Sequence, residues 1–553
     1  MLSFRDSQPN RIFFTHIWLA IGQKMPFFLV SQPVRLFGWL SFFCIVHSKK
    51  FGIFVPKKTY FKGKKMKSYK IYPKQWMELQ PYERPDEVDK YYVEMSNAVL
   101  RILINKGVDT EYVLDINELQ LMAMRLTMYF EDVVSQIGVW DAAVGEFERR
   151  YGYPVPFYEP DDDYEKGYVN IEDVKFVFWN ELQSFYCNDT FIYPKDALLN
   201  QIAEDLFVIF DEQWATAPEN TRKKQFVHNP EAAQNYWKAC KLFEWFVSQS
   251  FVSTMFKSAF ENKFNSFMEL NDQLDIEASM AAYNALTSII TAGTHNMLSM
   301  PAPQWFARIR KNEKDIWESF RLNAPSLYKY LRTDGSKIWF LDAVADAEMA
   351  VEDESIHIEF LKKGFDAGKY YLFSTAEFKG KRYQIGLMTA FSGKNALQML
   401  EDMKRRQLFK DSEKAAHKLF LKHSGGKEMM FFGSKQELVD FYAKMGMEKF
   451  DLDNKSDCYV AITFEDSATS IYFDDFVKCI NSPDNPFYDK KYAEDNAFDF
   501  LMNISNCDYH TVEYLTSRHY LDDAVLEDES DKDFVRKYNR FVVDYSYFST
   551  KGK

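Results

Sequence analysis

The period of the hydrophobic pattern changes once along this chain, near Pro325. From Tyr91 to about Asn323, apolar residues recur at spacings of three and four, which predicts amphipathic helices. After Pro325, short alternating runs bounded by turn residues predict strands. The pattern therefore predicts a predominantly helical α+β fold, with an all-α domain at 66–325 and a smaller mixed α+β domain at 326–553.

Local signals place elements inside both predicted domains. In the helical part, Asn117 and Gln120 are predicted to cap a helix that continues through Leu119 and Phe130. In the second part, Ser434 and Glu437 are predicted to form a capping box. The predicted strands are Lys337–Val344, Lys369–Phe378, Arg382–Phe391, Glu428–Phe432, Tyr459–Phe464 and Ser470–Phe473. A hairpin is therefore expected near 369–391, with its turn at Lys379-Gly380.

Residues 1–65 differ in composition from the rest of the chain. They hold eleven Lys or Arg and one acid, Asp6. The lysine cluster at 62–65 requires purine-rich codons directly before Met66, as a translated ribosome-binding site would. We predict that 1–65 is an upstream-translated or disordered leader. A weak membrane or export element and an ordered segment are the alternatives, although both apolar runs are shorter than the roughly 20 residues of a spanning helix.

The body, 66–553, is acidic. The whole chain holds 68 basic and 81 acidic residues, so removal of the leader leaves a net charge of −23. Such a charge disfavours nucleic acid as a partner, because nonspecific binding depends on Lys and Arg. With 46% hydrophobic and 17% aromatic residues overall, the body can bury a large core. No membrane contact is expected for this body.

Cysteine spacing indicates the compartment. The body has five cysteines and no CxxC pair, which disfavours a disulfide scaffold or a zinc knuckle. Free thiols are typical of a reducing cytosol, so a cytoplasmic location is expected.

The Gly386 to Gly393 segment places six residues between its glycines, whereas a phosphate-binding loop needs four. We therefore predict no cofactor.

Asp366, followed by Glu377-x-Lys379, resembles the acid, acid-x-Lys set with which many nucleases bind a metal and activate water. All three residues belong to one predicted strand and the segment before it, whereas that chemistry usually draws them from neighbouring strands. Exposed charges beside a turn are the alternative interpretation of Glu377 and Lys379.

A second acidic cluster contains Asp342, Asp346 and the Glu354-x-x-His357 pair. That pair has the one-face spacing of di-iron helical sites, but such sites need two copies and the chain has one. A solvated acidic surface is the alternative. Together with Asp366, Glu377 and Lys379, the residues Asp342, Asp346 and His357 are the only catalytic candidates, and no metal is assigned to them.

An aromatic segment precedes the first predicted helix. Tyr72, Trp76 and Tyr82 lie there, and Pro73, Pro81 and Pro85 hold it extended or in turns. These rings either pack onto the helical domain or form a groove for a peptide or protein partner.

The same segment, Lys70 to Tyr82 and then Asp89-Lys90-Tyr91-Tyr92, resembles the opening of an uncharacterised protein family of Bacteroidetes. The resemblance implies a start near Met66 and a bacterial, cytoplasmic setting, and it assigns no activity. The sequence as a whole favours a non-enzymatic, acidic protein-interaction or regulatory module. A metal-dependent hydrolase or nuclease-like enzyme, with carboxylates in the second domain, is the alternative.

Overall fold

The computed structural model describes residues 69–185, 192–256, 298, 300–356, 358–446, 456–465, 469–502, 507, 509–521, 538, 540–542 and 544–545. The predicted leader at 1–65 lies outside these residues. The chain divides into two compact units. The helical unit runs to Leu322 and takes in Phe378–Gly380, and the mixed unit takes Asn323–Glu377 and continues from Lys381.

The described part of the helical unit consists of α-helices and short 3₁₀ turns. Its α-helices are α1 Pro73–Met77, α2 Glu87–Asn105, α3 Val108–Glu111, α4 Ile116–Val134, α5 Val139–Tyr151, α6 Ile171–Phe185, α7 Ala197–Trp214, α8 Thr221–Val227, α9 Tyr236–Gln249, α10 Ala302–Ile309 and α11 Lys314–Glu318. Its 3₁₀ turns are Pro230–Ala233, Phe251–Phe256 and Lys311–Glu313. None of the helices in the described part of the chain is long and apolar enough to cross a membrane.

Helices α4 and α6 form the centre of the helical unit. Both are buried on nearly every side, which is the pattern of helices surrounded by other helices. Aromatic rings fill the space around them: Phe130 of α4 stacks on Phe210 of α7 at 4.8 Å, and Tyr129 meets the edge of Trp140 at 5.5 Å. The aromatic enrichment of this half of the sequence is therefore used for core packing.

The mixed unit contains a five-stranded sheet with strand order β3-β2-β1-β4-β5. Its strands are β1 Arg321–Asp334, β2 Lys337–Asp342, β3 Ala347–Glu352, β4 Tyr370–Phe378 and β5 Lys381–Phe391, with the short helix α12 Ile358–Lys363 between β3 and β4. The β1-β2 and β2-β3 pairs are antiparallel, and β1 is irregular between Tyr330 and Arg332. Phe340 and Phe373 lie in the core of this sheet.

The two edges of this sheet curl toward one another. Lys381, at the start of β5, forms an ion pair of 3.2 Å with Glu352, at the end of β3. Just after β3, the hydroxyl of Ser355 accepts a 2.8 Å hydrogen bond from the backbone N–H of Gln384 in β5. Both strands are edge strands, so these contacts cover backbone groups that an open sheet would leave exposed.

The remainder of the mixed unit surrounds a second, three-stranded antiparallel sheet of order β6-β7-β8. Its strands are β6 Met429–Phe432, β7 Tyr459–Ile462 and β8 Ser470–Phe473. The helices of this region are α13 Gly393–Ser424, α14 Lys435–Lys444, α15 Asp475–Lys478, α16 Lys490–Met502 and α17 Tyr509–Ser517. Phe420, near the end of α13, packs with Phe441 of α14 at 5.1 Å in the core beneath this sheet.

The predicted fold class is confirmed, while several local details differ from the prediction. The cap of α4 is Asp115 with Glu118, rather than Asn117 with Gln120, because the Asp115 carboxylate accepts the first free backbone N–H groups. Strand β1 begins at Arg321, inside the stretch predicted to be helical. Strand β3 was not predicted, because its acidic residues interrupt the pattern of alternating polar and apolar residues. The apolar residues Met349 and Val351 of this strand are buried.

Candidate functional site

Two of the predicted catalytic residues, Asp342 and Asp346, lie at the turn between β2 and β3. One carboxylate oxygen of Asp342 accepts hydrogen bonds from the Ser326 hydroxyl at 2.8 Å and from the backbone N–H groups of Val344 and Ala345 at 2.9 and 3.0 Å. Asp346 is exposed on the same turn, with a left-handed φ of 53°. His357 lies outside the described residues.

The acid, acid-x-Lys residues lie in two turns. Asp366 is exposed and accepts from the backbone N–H of Gly368 at 2.8 Å. Glu377 pairs with Arg382 across the β4-β5 hairpin at 2.6 Å. Lys379, at the tip of that hairpin, donates to the side-chain carbonyl of Gln234. Among the described residues, no three His, Cys, Asp or Glu side chains form a group that could hold a metal ion.

The aromatic segment divides between the surface and the interior of the helical unit. Tyr72 is 59% exposed, whereas Trp76 is fully buried, and its indole N–H donates to Asp89 of α2 at 3.0 Å. The hydroxyl of Tyr82 donates to the same carboxylate oxygen at 3.0 Å. Packing onto α2 therefore accounts for Trp76, and Tyr82 joins a larger polar network.

That network centres on a buried ion pair between helices α4 and α8. Lys223 donates to Glu131 at 2.6 Å, and both side chains are almost fully shielded from solvent. The Asn220 amide donates to the other oxygen of Glu131 at 2.7 Å and to the Tyr82 hydroxyl at 2.6 Å. Burial raises the pKa of Glu131, while the Lys223 charge and the hydrogen bonds from Lys223 and Asn220 oppose the shift.

The outer side of the network is closed by Arg222. Its guanidinium lies 4.0 Å from the centre of the Tyr82 ring and 3.2 Å from the carboxylate of Asp86, which caps α2. Burial raises the pKa of the neighbouring Asp89 carboxyl, and hydrogen bonds from Asp86 N–H, Trp76 and Tyr82 oppose this rise. The network fixes the aromatic segment, α2, α4 and α8 in one arrangement.

An open cleft of about 580 Å³ lies beside this network. One wall is the end of α4, and the other is α8 with the turn that follows it. Its lining residues are Gln136, Lys224, Gln225, His228, Asn229 and Pro230. Among the lining residues that the structure describes, Lys224 and His228 can carry positive charge and none is a carboxylate.

Hydrogen bonds hold the two walls of the cleft at a fixed separation. The backbone N–H of Asn220 donates to the hydroxyl of Ser135 at 2.8 Å, and Nε2 of His228 lies 2.9 Å from the backbone carbonyl of Ile137. Arg310, which is buried, donates to the backbone carbonyl of Asn229 at 2.9 Å. The cleft is therefore preorganised rather than formed by loose surface side chains.

Gln136, at the lip of the cleft, has a backbone conformation that glycine usually adopts. Its φ is 50°, and it occupies the position that ends α4. Its N–H donates to Val133 and the N–H of Ile137 donates to Asp132, which is the Schellman arrangement. A non-glycine residue in this conformation costs free energy, so an amide side chain stands at the lip despite a structural penalty.

Together, the described elements define a helical unit followed by an α+β unit, and the helical unit contains a preformed cleft. The model of the family described as "Protein of unknown function (DUF3843)" matches residues 70–335 and 380–547. The chain therefore belongs to this family, which confirms that the opening segment resembles a family of unknown function. A comparison with curated proteins and one with solved structures each found no match.

The cleft residues were not identified from the sequence. They come from two segments separated by more than 80 residues, and amide side chains form no recognisable motif. The available signals were Pro218 and Pro230, which bracket α8, and the isolated His228. None of these signals indicates that α8 closes onto the end of α4.

Proposed function

We propose that this protein is a non-catalytic interaction module whose helical unit binds an acidic peptide segment of a protein partner. The observation that carries the proposal is the cleft lining, which combines Lys224 and His228 with the amides of Gln136, Gln225 and Asn229. The whole chain carries a net charge of −13, so a cleft lined without carboxylates among its described residues contrasts with the rest of the molecule.

The lining groups suit an extended peptide. Side-chain amides both donate and accept hydrogen bonds, so they can pair with peptide N–H and C=O groups of any sequence. A Lys ammonium, and a His ring when protonated, provide charge-assisted hydrogen bonds to a carboxylate. The amides would therefore supply affinity for the backbone, and Lys224 and His228 would select acidic side chains.

We place this activity in the bacterial cytoplasm, in an organism of the Bacteroidetes, and without a cofactor. Support for a reducing compartment comes from the free thiols of Cys240, Cys458, Cys479 and Cys507. Burial raises the pKa of the Cys240 and Cys479 thiols to about 12, so neither is poised as a nucleophile. The hydrolase alternative has no comparable observation among the described residues.

The test is a binding measurement with defined peptide pools. Fluorescein-labelled random octapeptides with Glu fixed at two positions are compared, by anisotropy, with the same pool carrying Gln there. We expect the full chain to bind the acidic pool and to lose about tenfold or more in affinity in Lys224→Gln, because a charge-assisted hydrogen bond contributes about 1.5–3 kcal/mol.

Lys175→Gln is the matched control, since Lys175 is also half-buried and lies on α6, outside the cleft lining. It is expected to bind like the wild type. Equal affinity for the acidic and neutral pools, or equal loss in the Lys175 and Lys224 variants, would contradict the proposal.

A further inference from the structure

The ring of His228 bridges the two walls of the cleft through one of its nitrogens. His228 ends α8, and its Nε2 lies 2.9 Å from the backbone carbonyl oxygen of Ile137, just after α4. A carbonyl oxygen can only accept, so Nε2 carries the hydrogen of the neutral ring and Nδ1 is a bare acceptor. A carboxylate is also only an acceptor, so the neutral ring offers an acidic side chain no hydrogen bond.

The Nδ1 atom of His228 is available to a ligand. It has no hydrogen-bond partner among the described residues, and it is not one of their buried polar atoms that lack a partner. It therefore remains accessible to solvent, and the half-buried ring that carries it lines the cleft. Protonation turns Nδ1 into a charged donor and leaves the bond from Nε2 to Ile137 in place. A single proton thus changes what the cleft can bind without breaking the contact between its walls.

Lys224 lies one helical turn before His228. The backbone N–H of His228 donates to the Lys224 carbonyl at 2.9 Å, so both side chains project from the same face of α8. The Lys224 ammonium has no carboxylate partner among the described residues, and it lines the same cleft. A carboxylate bound between the two side chains would contact two cations when the ring is protonated and one when it is neutral. Protonation of His228 and binding of an acidic side chain therefore favour each other.

The other charged side chains around the cleft are engaged elsewhere. Arg310, from α10, pairs with Glu313, and Glu231, in the turn after the cleft, pairs with Lys238. Asp132, one turn before the end of α4, accepts hydrogen bonds from backbone N–H groups of α5. Burial raises the pKa of Asp132 to about 7, so its titration must be separated from that of the cleft by experiment.

We propose that binding of an acidic peptide in the cleft is coupled to the uptake of a proton by His228, so that affinity rises as the pH falls. This inference rests on the proposed function, because it concerns the same site. Imidazole is the side chain whose charge ordinarily changes between about pH 5 and 8, whereas lysine ammonium groups and the Glu carboxylates of the peptide largely keep their charges there. Lys224 then favours acidic peptides at every pH in this range, and His228 adds to that preference only when it is charged.

The first test repeats the anisotropy measurement on the full-length chain at pH 5.5 and pH 8, at one ionic strength. We expect the Glu pool to bind about tenfold more tightly at pH 5.5, because the protonated ring adds a charge-assisted hydrogen bond. The Gln pool should bind equally at both pH values. A preference for the Glu pool that is independent of pH, or an equal gain by the Gln pool, would overturn proton coupling alone. Equal binding of both pools at each pH would overturn the proposed function and this inference together.

Two variants assign the pH dependence to one group. In His228→Gln the side-chain amide can still donate to the Ile137 carbonyl but cannot take up a proton, so the ratio of affinities at the two pH values should fall to about one. Asp132→Asn is the matched control, and it should keep the wild-type ratio. The opposite result, with the ratio kept in His228→Gln and lost in Asp132→Asn, would attribute the effect to Asp132 and overturn the inference.

Proton uptake can also be measured directly, which does not depend on the His228 variant folding. An acidic octapeptide selected from the pool is titrated into the wild type and into Asp132→Asn at pH 7 by calorimetry, in two buffers with different ionisation enthalpies. Because the protonated ring binds more tightly, both proteins should take up a fraction of a proton per peptide. Binding with no uptake, with release of protons, or with uptake by the wild type only, would overturn the inference.

Discussion

At the scale of single residues, buried acids organise the helical unit. Asp132 is buried at the end of α4, and its carboxylate accepts from the backbone N–H groups of Val139 and Trp140, the first residues of α5. Burial raises the pKa of Asp132 to about 7, from an ordinary value of 3.8, although these hydrogen bonds oppose the rise. The same cause raises the pKa of the buried Asp173 to about 7.

A raised carboxyl pKa makes stability fall as pH rises. Between about pH 4 and 7, the unfolded chain has released the Asp132 proton while the folded chain still holds it, so folding is progressively disfavoured. Asp132→Asn removes this titration. The unfolding free energy of the variant minus that of the wild type should therefore rise by about 4 kcal/mol between pH 4 and 7.5. One pKa unit corresponds to about 1.4 kcal/mol. Urea unfolding at several pH values measures the gap, and a gap independent of pH would contradict this account.

The Glu131–Lys223 pair leads to a second prediction. Lys223→Met leaves the buried Glu131 carboxylate without its cation, which typically costs about 3–5 kcal/mol. The double variant Glu131→Gln with Lys223→Met should lose less, because no unpaired charge is buried. Urea unfolding compares both with Lys175→Met, a half-buried control on α6. If the single variant were as stable as that control, the pair would not support the network.

A substitution at Gln136 should change the stability of the chain and its affinity for peptide in opposite directions. Gln136→Gly relieves the left-handed φ of 50° and should raise the unfolding free energy by up to about 1 kcal/mol. The same change removes an amide from the cleft lip, so affinity for the acidic peptide pool should fall. Denaturant unfolding and anisotropy on one preparation give the two results. A variant that is both more stable and an equally good binder would remove Gln136 from the proposed site.

At the scale of elements, the curled sheet depends on the contact between Ser355 and β5. Its hydroxyl accepts from the buried N–H of Gln384, so Ser355→Ala leaves that donor unsatisfied, at a cost of about 1–3 kcal/mol. Hydrogen exchange should show faster exchange of the Gln384 amide. Ser319→Ala is the control, because that hydroxyl donates to the Ile316 carbonyl and caps no strand. Unchanged protection at Gln384 would contradict the role of Ser355.

Elements whose signals are local could be predicted from the sequence. The β4-β5 hairpin followed from alternation and the Lys379-Gly380 turn, and α14 followed from Ser434 and the Gly446 stop. One detail of the predicted capping box at Ser434 and Glu437 differs. The Ser434 hydroxyl accepts from the Glu437 N–H as predicted, but the Glu437 carboxylate accepts from the N–H of Gly433 rather than from that of Ser434. Strand β3 could not be predicted, because its burial depends on its neighbours β2 and β5.

Functional residues depend on contacts between distant segments. Asp342 and Glu377 were visible in the sequence as acids, but their roles follow from Ser326 and Arg382, which only the fold brings beside them. The cleft requires α8 to close onto the end of α4 through Asn220 and Ser135. Such pairings leave no periodic trace in one sequence.

At the scale of the whole molecule, the chain has two compact units, and the proposed binding site lies in the helical one. The proposed peptide site is the cleft of the helical unit. The charge of the chain is consistent with that proposal, because the described cleft lining contains Lys224 and His228 and no carboxylate, within an acidic molecule.

The most direct test of the central claim locates the bound peptide on the full-length chain. Hydrogen exchange is measured with and without a saturating acidic octapeptide selected from the pool. We expect added protection at 136–137 and 224–229, and none of this protection in Lys224→Gln at the same peptide concentration. Binding accompanied by protection elsewhere, with these two segments unchanged, would contradict it.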